Sequence, residues 1–242
     1  MGERLGRYEV LRRLASGGMA DVMLARAEGE TIEGFARHVV LKRIKQEHAK
    51  DARFVQMFLD EARLAASLHH QHIGQVFDVG ESGGQYFLAM EYLHGEDVRR
   101  ILSVIAKKKT HVPLQHALAI ASACAAGLHV AHEHKIVHRD VSPSNIIVGY
   151  DGSVKLVDFG IARAGQAAGK LAYMSPEQLK GETVDRRSDV WSLGVVLYEL
   201  VTTTRLFKGD GDDASVMDQV IGGKIPLPRI RRPELTNELQ TI

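Results

Sequence analysis

The chain has 242 residues, 45% of them hydrophobic, enough to bury one sizeable core or two smaller ones and too apolar for a disordered chain. Lys and Arg number 31 and Asp and Glu 30, a formal charge of +1, which excludes a global basic field of the kind that recruits nucleic acid or an anionic membrane. A single cysteine, Cys124, excludes an internal disulfide. No stretch reaches the ~20 apolar residues of a spanning helix, and no apolar run follows a basic start at the N-terminus, so the expectation is a cytoplasmic chain with no membrane segment.

From Tyr8 to Tyr92 the pattern consists of short strand-like runs: Tyr8 to Leu11, Val22 to Ala25, His38 to Lys42, Val76 to Val79 and Tyr86 to Met90. Gly17-Gly18, Glu28-Gly29 and Ser82-Gly83-Gly84 punctuate them as turns. One helix is predicted among these strands, with Phe54, Phe58, Ala65 and Leu68 on one face. Beyond Tyr92 the character turns helical. A helix from Pro113 to Ala131, proline near its start, places Cys124 on the apolar side with Ala117, Ile120 and Leu128, so its thiol reads as a core group. Short strand-like runs follow at Ile146 to Val148 and Val154 to Val157. The stretch Val190 to Val201 is apolar nearly all round, which predicts an enclosed helix at the centre of this second region. The expected architecture is α+β: an antiparallel sheet with one helix over 1–92, then a mainly helical lobe over 93–242.

The residues that carry chemistry begin with Leu14-Ala15-Ser16-Gly17-Gly18-Met19-Ala20, a turn of small residues between two strands that lets backbone N–H groups approach phosphate oxygens. A ligand-free hairpin would use the same residues. Lys42 ends an otherwise apolar strand. Glu61 sits amid the apolar stripe of the first helix, where a carboxylate is costly unless a cation meets it, and Lys42 is the natural partner. Asp60 lies off that face. The strongest signal is Ile136-Val137-His138-Arg139-Asp140-Val141-Ser142-Pro143-Ser144-Asn145, followed by Val154-Lys155-Leu156-Val157-Asp158-Phe159-Gly160.

These runs resemble the H-R-D-L-x-x-x-N and D-F-G signatures of the Hanks-type protein kinases, specifically the bacterial Ser/Thr members. Tyr173-Met174-Ser175-Pro176-Glu177, similar to the A-P-E box, and Ser188-Asp189-Val190-Trp191-Ser192-Leu193-Gly194 follow in the family's order, so the resemblance spans nearly the whole chain. It implies a bilobal fold and transfer of the γ-phosphoryl of Mg·ATP to a protein hydroxyl. By the same resemblance Asp140 accepts or orients the hydroxyl proton, Asn145 and Asp158 hold Mg²⁺, and Lys42, steadied by Glu61, reaches the phosphates. Adenine is expected against Leu14, Val22, Val40 and Ile147 with Met90 behind, and the backbone of Glu91 and Leu93 is expected to bond it. Asp189 is expected to hold the backbone of the catalytic loop.

Four departures from the family stand out. Ala15 and Ala20 replace two of the three loop glycines, which the turn tolerates if φ is negative there. Ser142 stands where the family usually has a lysine on the γ-phosphate, and Lys170 stands where most Ser/Thr members have a threonine that bonds the catalytic Asp and that same lysine. The pair reads as an exchange, with Lys170 reaching back to Asp140 and Ser142 supplying the hydroxyl. From Gly160 to Ala172 there is no Ser, Thr or Tyr, so Arg139 has no local phosphosite and activity is expected without phosphorylation of this segment. Finally, the family's last helices, with an arginine for Glu177, do not occur in this sequence, so the expectation is either a truncated chain or a second lobe exposed along its base, where an enclosed Glu177 without a partner is costly.

The histidines at 69, 70 and 72 and at 129, 132, 134 and 138 lack the cysteine or acid that would complete a tetrahedral metal set and read as structural or solvated. Lys107-Lys108-Lys109 reads as a solvated run. Two other functions are weighed. One is a pseudokinase that binds nucleotide without efficient transfer, for which Ser142 and the missing last helices argue and against which Lys42, Glu61, Asp140, Asn145 and Asp158 all stand. The other is a small-molecule phosphotransferase of the aminoglycoside-kinase type, which lacks the Ser-Pro-Glu and Asp-Val-Trp-Ser-Leu-Gly elements.

Overall fold

The computed structural model describes residues 3–28, 36–159, 170–209 and 212–237, with the side chains of Ala36 and Glu61 left out. The described chain forms two compact units that divide between Leu93 and His94.

The first unit is a six-stranded antiparallel sheet. Its strands are β1 (Arg4–Leu5), β2 (Tyr8–Ser16), β3 (Ala20–Glu28), β4 (Ala36–Ile44), β5 (Val76–Ser82) and β6 (Gln85–Glu91), in the order β1-β2-β3-β4-β6-β5. The strands run longer than the apolar runs that announced them. In β2 the extension carries Arg12, Arg13 and Ala15, all exposed, past two breaks in register with β3. Register sorts the side chains into two faces. Leu5, Tyr8, Met23, Ala25, Leu41 and Phe87 are among those that form one core. Opposite pairs Val22 and Lys42, and Val40 and Met90, belong to the other face.

On that second face lie α1 (Gln46–Ala49) and α2 (Ala52–Ser67). Asp51 caps α2 by accepting the backbone N–H of Arg53 at 2.9 Å. Its Phe54, Val55, Phe58, Ala62 and Ala65 pack against Ile44, Val76 and Leu88. The helical spacing that predicted this element thus selects the buried face, widened by Val55 and Ala62.

The second unit opens with β7 (Gly95–Asp97), which joins β8 (Ile146–Gly149) and β9 (Val154–Leu156) in a small antiparallel sheet. Five α-helices complete its described residues: α3 (Val98–Lys107), α4 (Leu114–Glu133), then α5 (Pro176–Lys180), α6 (Arg186–Thr202) and α7 (Asp213–Gly222), with the single turn α8 (Pro228–Arg231) after them. Helix α4 is long and apolar enough to cross a membrane, a length of apolar chain the sequence was not expected to contain. Its Ala117, Ile120, Cys124 and Leu128 instead join the core of this unit with Val195, Val196 and Leu200 of α6. Cys124 is 1% exposed, and burial pushes its thiol up to about 12. Iodoacetamide is expected to leave it unmodified in the native protein at pH 8 and to label it after unfolding in guanidinium, as followed by intact-mass measurement.

Helix α6 departs from expectation on one side. Its Val195, Val196, Leu200 and Val201 are buried, yet Val190 is 63% exposed, so the helix is open to solvent near its start. The reason is that α4 covers one flank, and a helix with apolar residues all round can leave part of them outside.

Candidate active site

In the second unit the loop between α4 and β8 is fixed from below by one buried carboxylate. Asp189, on the first turn of α6 and 1% exposed, accepts the backbone N–H groups of His138 and Arg139, each at 2.8 Å. His132 of α4 brings its Nε2 to the same carboxylate at 2.7 Å. The role expected for Asp189 matches this geometry. His132, read as structural or solvated, turns out to belong to the support of the loop, and its spacing from His138 gave no hint of it.

His138 is fully buried. Its Nε2 donates to the carbonyl of Val157 at 3.2 Å, and its Nδ1 accepts the N–H of Asp140 at 3.3 Å. Burial pushes this imidazole down, more strongly than the nearby charges of Asp189 and Asp140 push it up. A neutral ring with the proton on Nε2 satisfies both bonds. Its face meets Phe159 with ring centroids 4.4 Å apart, so the loop carrying Asp140 and the strand end carrying Asp158 share one pivot.

Arg139 adopts φ of 64°, a conformation side-chain-bearing residues avoid, and both its backbone polar groups are held. Asp189 takes the N–H, and Gln178 Nε2 donates to the carbonyl at 2.9 Å. Gln178 also closes a capping box with Ser175 at the start of α5. It was not among the expected site residues, although the Ser-Pro-Glu-Gln spacing carries the capping signature.

The Asp140 carboxylate follows directly. Its Oδ2 accepts from Asn145 Nδ2 at 2.9 Å and from the ammonium of Lys170. Asn145 Nδ2 also donates to the carbonyl of Asp140 at 2.8 Å, which closes the tight turn started by Pro143. Oδ1 accepts no hydrogen bond from the described residues. Asp158 stands beside Asn145, because Val157 donates its N–H to the Asn145 carbonyl at 2.9 Å. Asp158 adopts φ of 59°. An amide oxygen and a carboxylate are both hard oxygen donors of the kind Mg²⁺ takes together with phosphate. Among the described residues no group of three or more His, Cys, Asp or Glu side chains could hold a metal by itself.

Ser142 is fully buried, and its hydroxyl meets that of Ser144 at 3.0 Å. The cation half of the expected exchange therefore has its contact with Asp140, while the Ser142 hydroxyl faces away to Ser144. Ile147 lies in β8, half-buried.

In the first unit, Val22, Val40, Lys42 and Met90 share the sheet face described above, with Val22, Val40 and Lys42 only half-buried. The side chain of Glu61, and with it the expected pairing with Lys42, lies outside the described residues. The turn from Ser16 to Ala20 is closed by Gly17 N–H to Ala20 carbonyl at 2.9 Å and braced by Ser16 Oγ to Asp21 at 2.7 Å. Lys45 N–H to Met19 carbonyl at 3.0 Å ties it to the start of α1. Neither Ala15 nor Ala20 has a positive φ, so alanine costs the turn nothing there. Leu14, Ala15, Ser16, Gly17 and Gly18 are exposed along it, Met19 is half-buried, and Glu91 and Leu93 close the unit.

The protein kinase domain model matches residues 8–238. This chain belongs to the protein kinase domain family. Among curated relatives of this kinase domain, the Tyrosine-protein kinase MasK of Myxococcus xanthus is 43% identical across 98% of the chain and 39% of its own length. The Serine/threonine-protein kinase PknB of Mycolicibacterium smegmatis is 38% identical across 98% of the chain and 39% of its own length. The kinase domain thus spans about two fifths of each of these relatives. The crystal structure of the Mycobacterium tuberculosis PknI kinase domain matches with a TM-score of 0.75 at 30% identity, covering 97% of this chain and 85% of that one. The α+β, protein-kinase fold class expected from the motifs is the one found.

The glutamate of the Ser-Pro-Glu motif was expected to suffer from a missing arginine. Glu177 is half-buried and accepts the Ser188 hydroxyl. Burial pushes its carboxyl up, but the hydroxyl, its own backbone N–H and Ser175 together hold it below the usual range.

Proposed function

We propose that this domain transfers the γ-phosphoryl group of ATP to a serine or threonine hydroxyl of another protein. The observation that carries the reading is the Asp140 carboxylate: one oxygen is occupied by Asn145 and Lys170, the other accepts no hydrogen bond from the described residues, and the loop beneath is pinned by Asp189. Such a carboxylate can orient an incoming hydroxyl and take its proton through Oδ1. The acceptor O–H bond breaks as the new O–P bond forms, the bond from the γ-phosphorus to its bridging oxygen breaks, and ADP leaves with that electron pair.

Asn145 and Asp158 would hold Mg²⁺, which supplies positive charge for the phosphate oxygens. The strand-rich unit contributes the small-residue turn over 15–20 for the phosphates, the ammonium of Lys42 to reach them, and Val22, Val40 and Met90 as an apolar platform for adenine. The carboxylate of Glu61 would steady Lys42. Partners are protein substrates. A requirement for ATP would suit a cytoplasmic location.

A second reading is favoured by one comparison. The 43% identical MasK is named a tyrosine-protein kinase, and Lys170 stands where most Ser/Thr members of the family have a threonine. Incubation with labelled Mg·ATP and an equal mixture of Ser, Thr and Tyr peptides, followed by phosphoamino acid analysis, separates the readings. Phosphoserine and phosphothreonine are expected. Phosphotyrosine alone moves the assignment to the second reading, and nucleotide binding without transfer above the Asp140→Asn background leaves only a pseudokinase.

A further inference from the structure

We propose that Lys170 is the catalytic cation of the transfer, delivered to Asp140 by the segment that leads into Ser-Pro-Glu and not by the loop that carries Asp140. The inference rests on the kinase reading and deepens it. Transfer of a phosphoryl group gathers negative charge around the attacking and transferred oxygens, and a fixed cation there stabilises the transition state more than the ground state. The catalytic loop's own cation, Arg139, makes no ion pair with that carboxylate among the described residues. Ser142 is neutral, fully buried and bonded to Ser144, and His138 is held neutral by burial. Among the described residues the cation that touches the Asp140 carboxylate is Lys170.

Its position is prepared. Lys170 precedes a tight turn over Leu171–Tyr173 whose three side chains are buried. The Tyr173 hydroxyl donates to Glu199 at 2.8 Å, Ser192 donates to the Tyr173 carbonyl at 2.7 Å, and Gln178 binds the backbone of Arg139 at 2.9 Å. Glu199 is buried, and burial pushes its carboxyl up, only partly offset by the Tyr173 hydroxyl. The base of Lys170 is thus fastened to α6 and to the catalytic loop, and only its flexible stem remains to be ordered. Lys170 binds Oδ2 together with Asn145, and no described residue donates to Oδ1, the oxygen left for the acceptor hydroxyl. During transfer Lys170 keeps its protons; the hydroxyl proton goes to Asp140. A cation carried by this segment makes turnover depend on the segment's docking, which needs no phosphate, in keeping with the absence of Ser, Thr and Tyr from 160–172.

The test replaces the ammonium and then restores it. Lys170→Cys is expected to lower kcat about 100-fold, with KM for ATP changed less than threefold. Aminoethylation with 2-bromoethylamine rebuilds a lysine-like side chain at that cysteine, while Cys124 stays protected by burial; at least tenfold recovery is expected, and none from capping with a neutral methylthio group. Lys170→Met, checked by thermal melt, provides the same loss without a thiol. Losses under threefold in Lys170→Met, or equal recovery from the charged and neutral caps, overturn the proposal. A wild-type protein without transfer activity refutes the kinase reading beneath it, an outcome distinguishable because it is seen before any variant is made.

Discussion

Asp140→Asn is expected to lower kcat about 1,000-fold, within the range for removing a general base, while leaving KM for ATP and the melting temperature nearly unchanged. The substitution keeps size and shape. One oxygen remains to accept from Asn145 and Lys170, the contacts that now meet Oδ2, so the loop is not disturbed. What is lost is the second oxygen, the one proposed to take the acceptor proton. An amide nitrogen there donates instead of accepting and cannot receive the hydroxyl proton. Initial rates against a fixed peptide, with nucleotide affinity measured separately, check the split. A variant retaining a tenth of wild-type turnover would remove Asp140 from the chemistry.

Asp189→Ala should unfold the same loop. The carboxylate is 1% exposed and takes two backbone N–H groups and one imidazole. Removing it leaves those donors buried without partners, which costs about 3 to 5 kcal/mol, or a fall in Tm of roughly 10 °C for a domain of this size. Asp189→Asn retains one accepting oxygen and should lose about half as much. Scanning calorimetry of the two variants distinguishes a loop held by hydrogen bonds from one held by packing alone, for which the two would melt together.

How far the sequence carries can be judged from single residues. The strands and α2 were visible because half-buried sheets and amphipathic helices repeat their apolar residues at their own spacings. Asp140, Asn145 and Asp158 were visible because their motif spacing is rigid, and the structure brings them together in one unit. Lys170 was visible only as a misplaced charge set against the missing one at 142. The Ser142 hydroxyl was misdirected by that reasoning, since a tight turn opened by Pro143 points it at Ser144, a matter of local dihedrals and not of residue type. His132 and Gln178 act through tertiary partners 57 and 39 residues away, and no local periodicity encodes such pairs. The opening of α6 at Val190 has the same origin: apolarity says a surface can be covered, while topology decides whether it is.

Arg139 and Asp158 both bend the backbone into the left-handed region, at φ of 64° and 59°. Glycine would take that shape without penalty, whereas a residue with a Cβ pays of order 1 kcal/mol or more each time. The polypeptide therefore flanks its most reactive stretch with two loaded springs, restrained by neighbours that were folded for other reasons. A version tuned only for heat resistance would have these two corners, along with the left-handed Lys109, Lys135 and Thr203, among the places to relax.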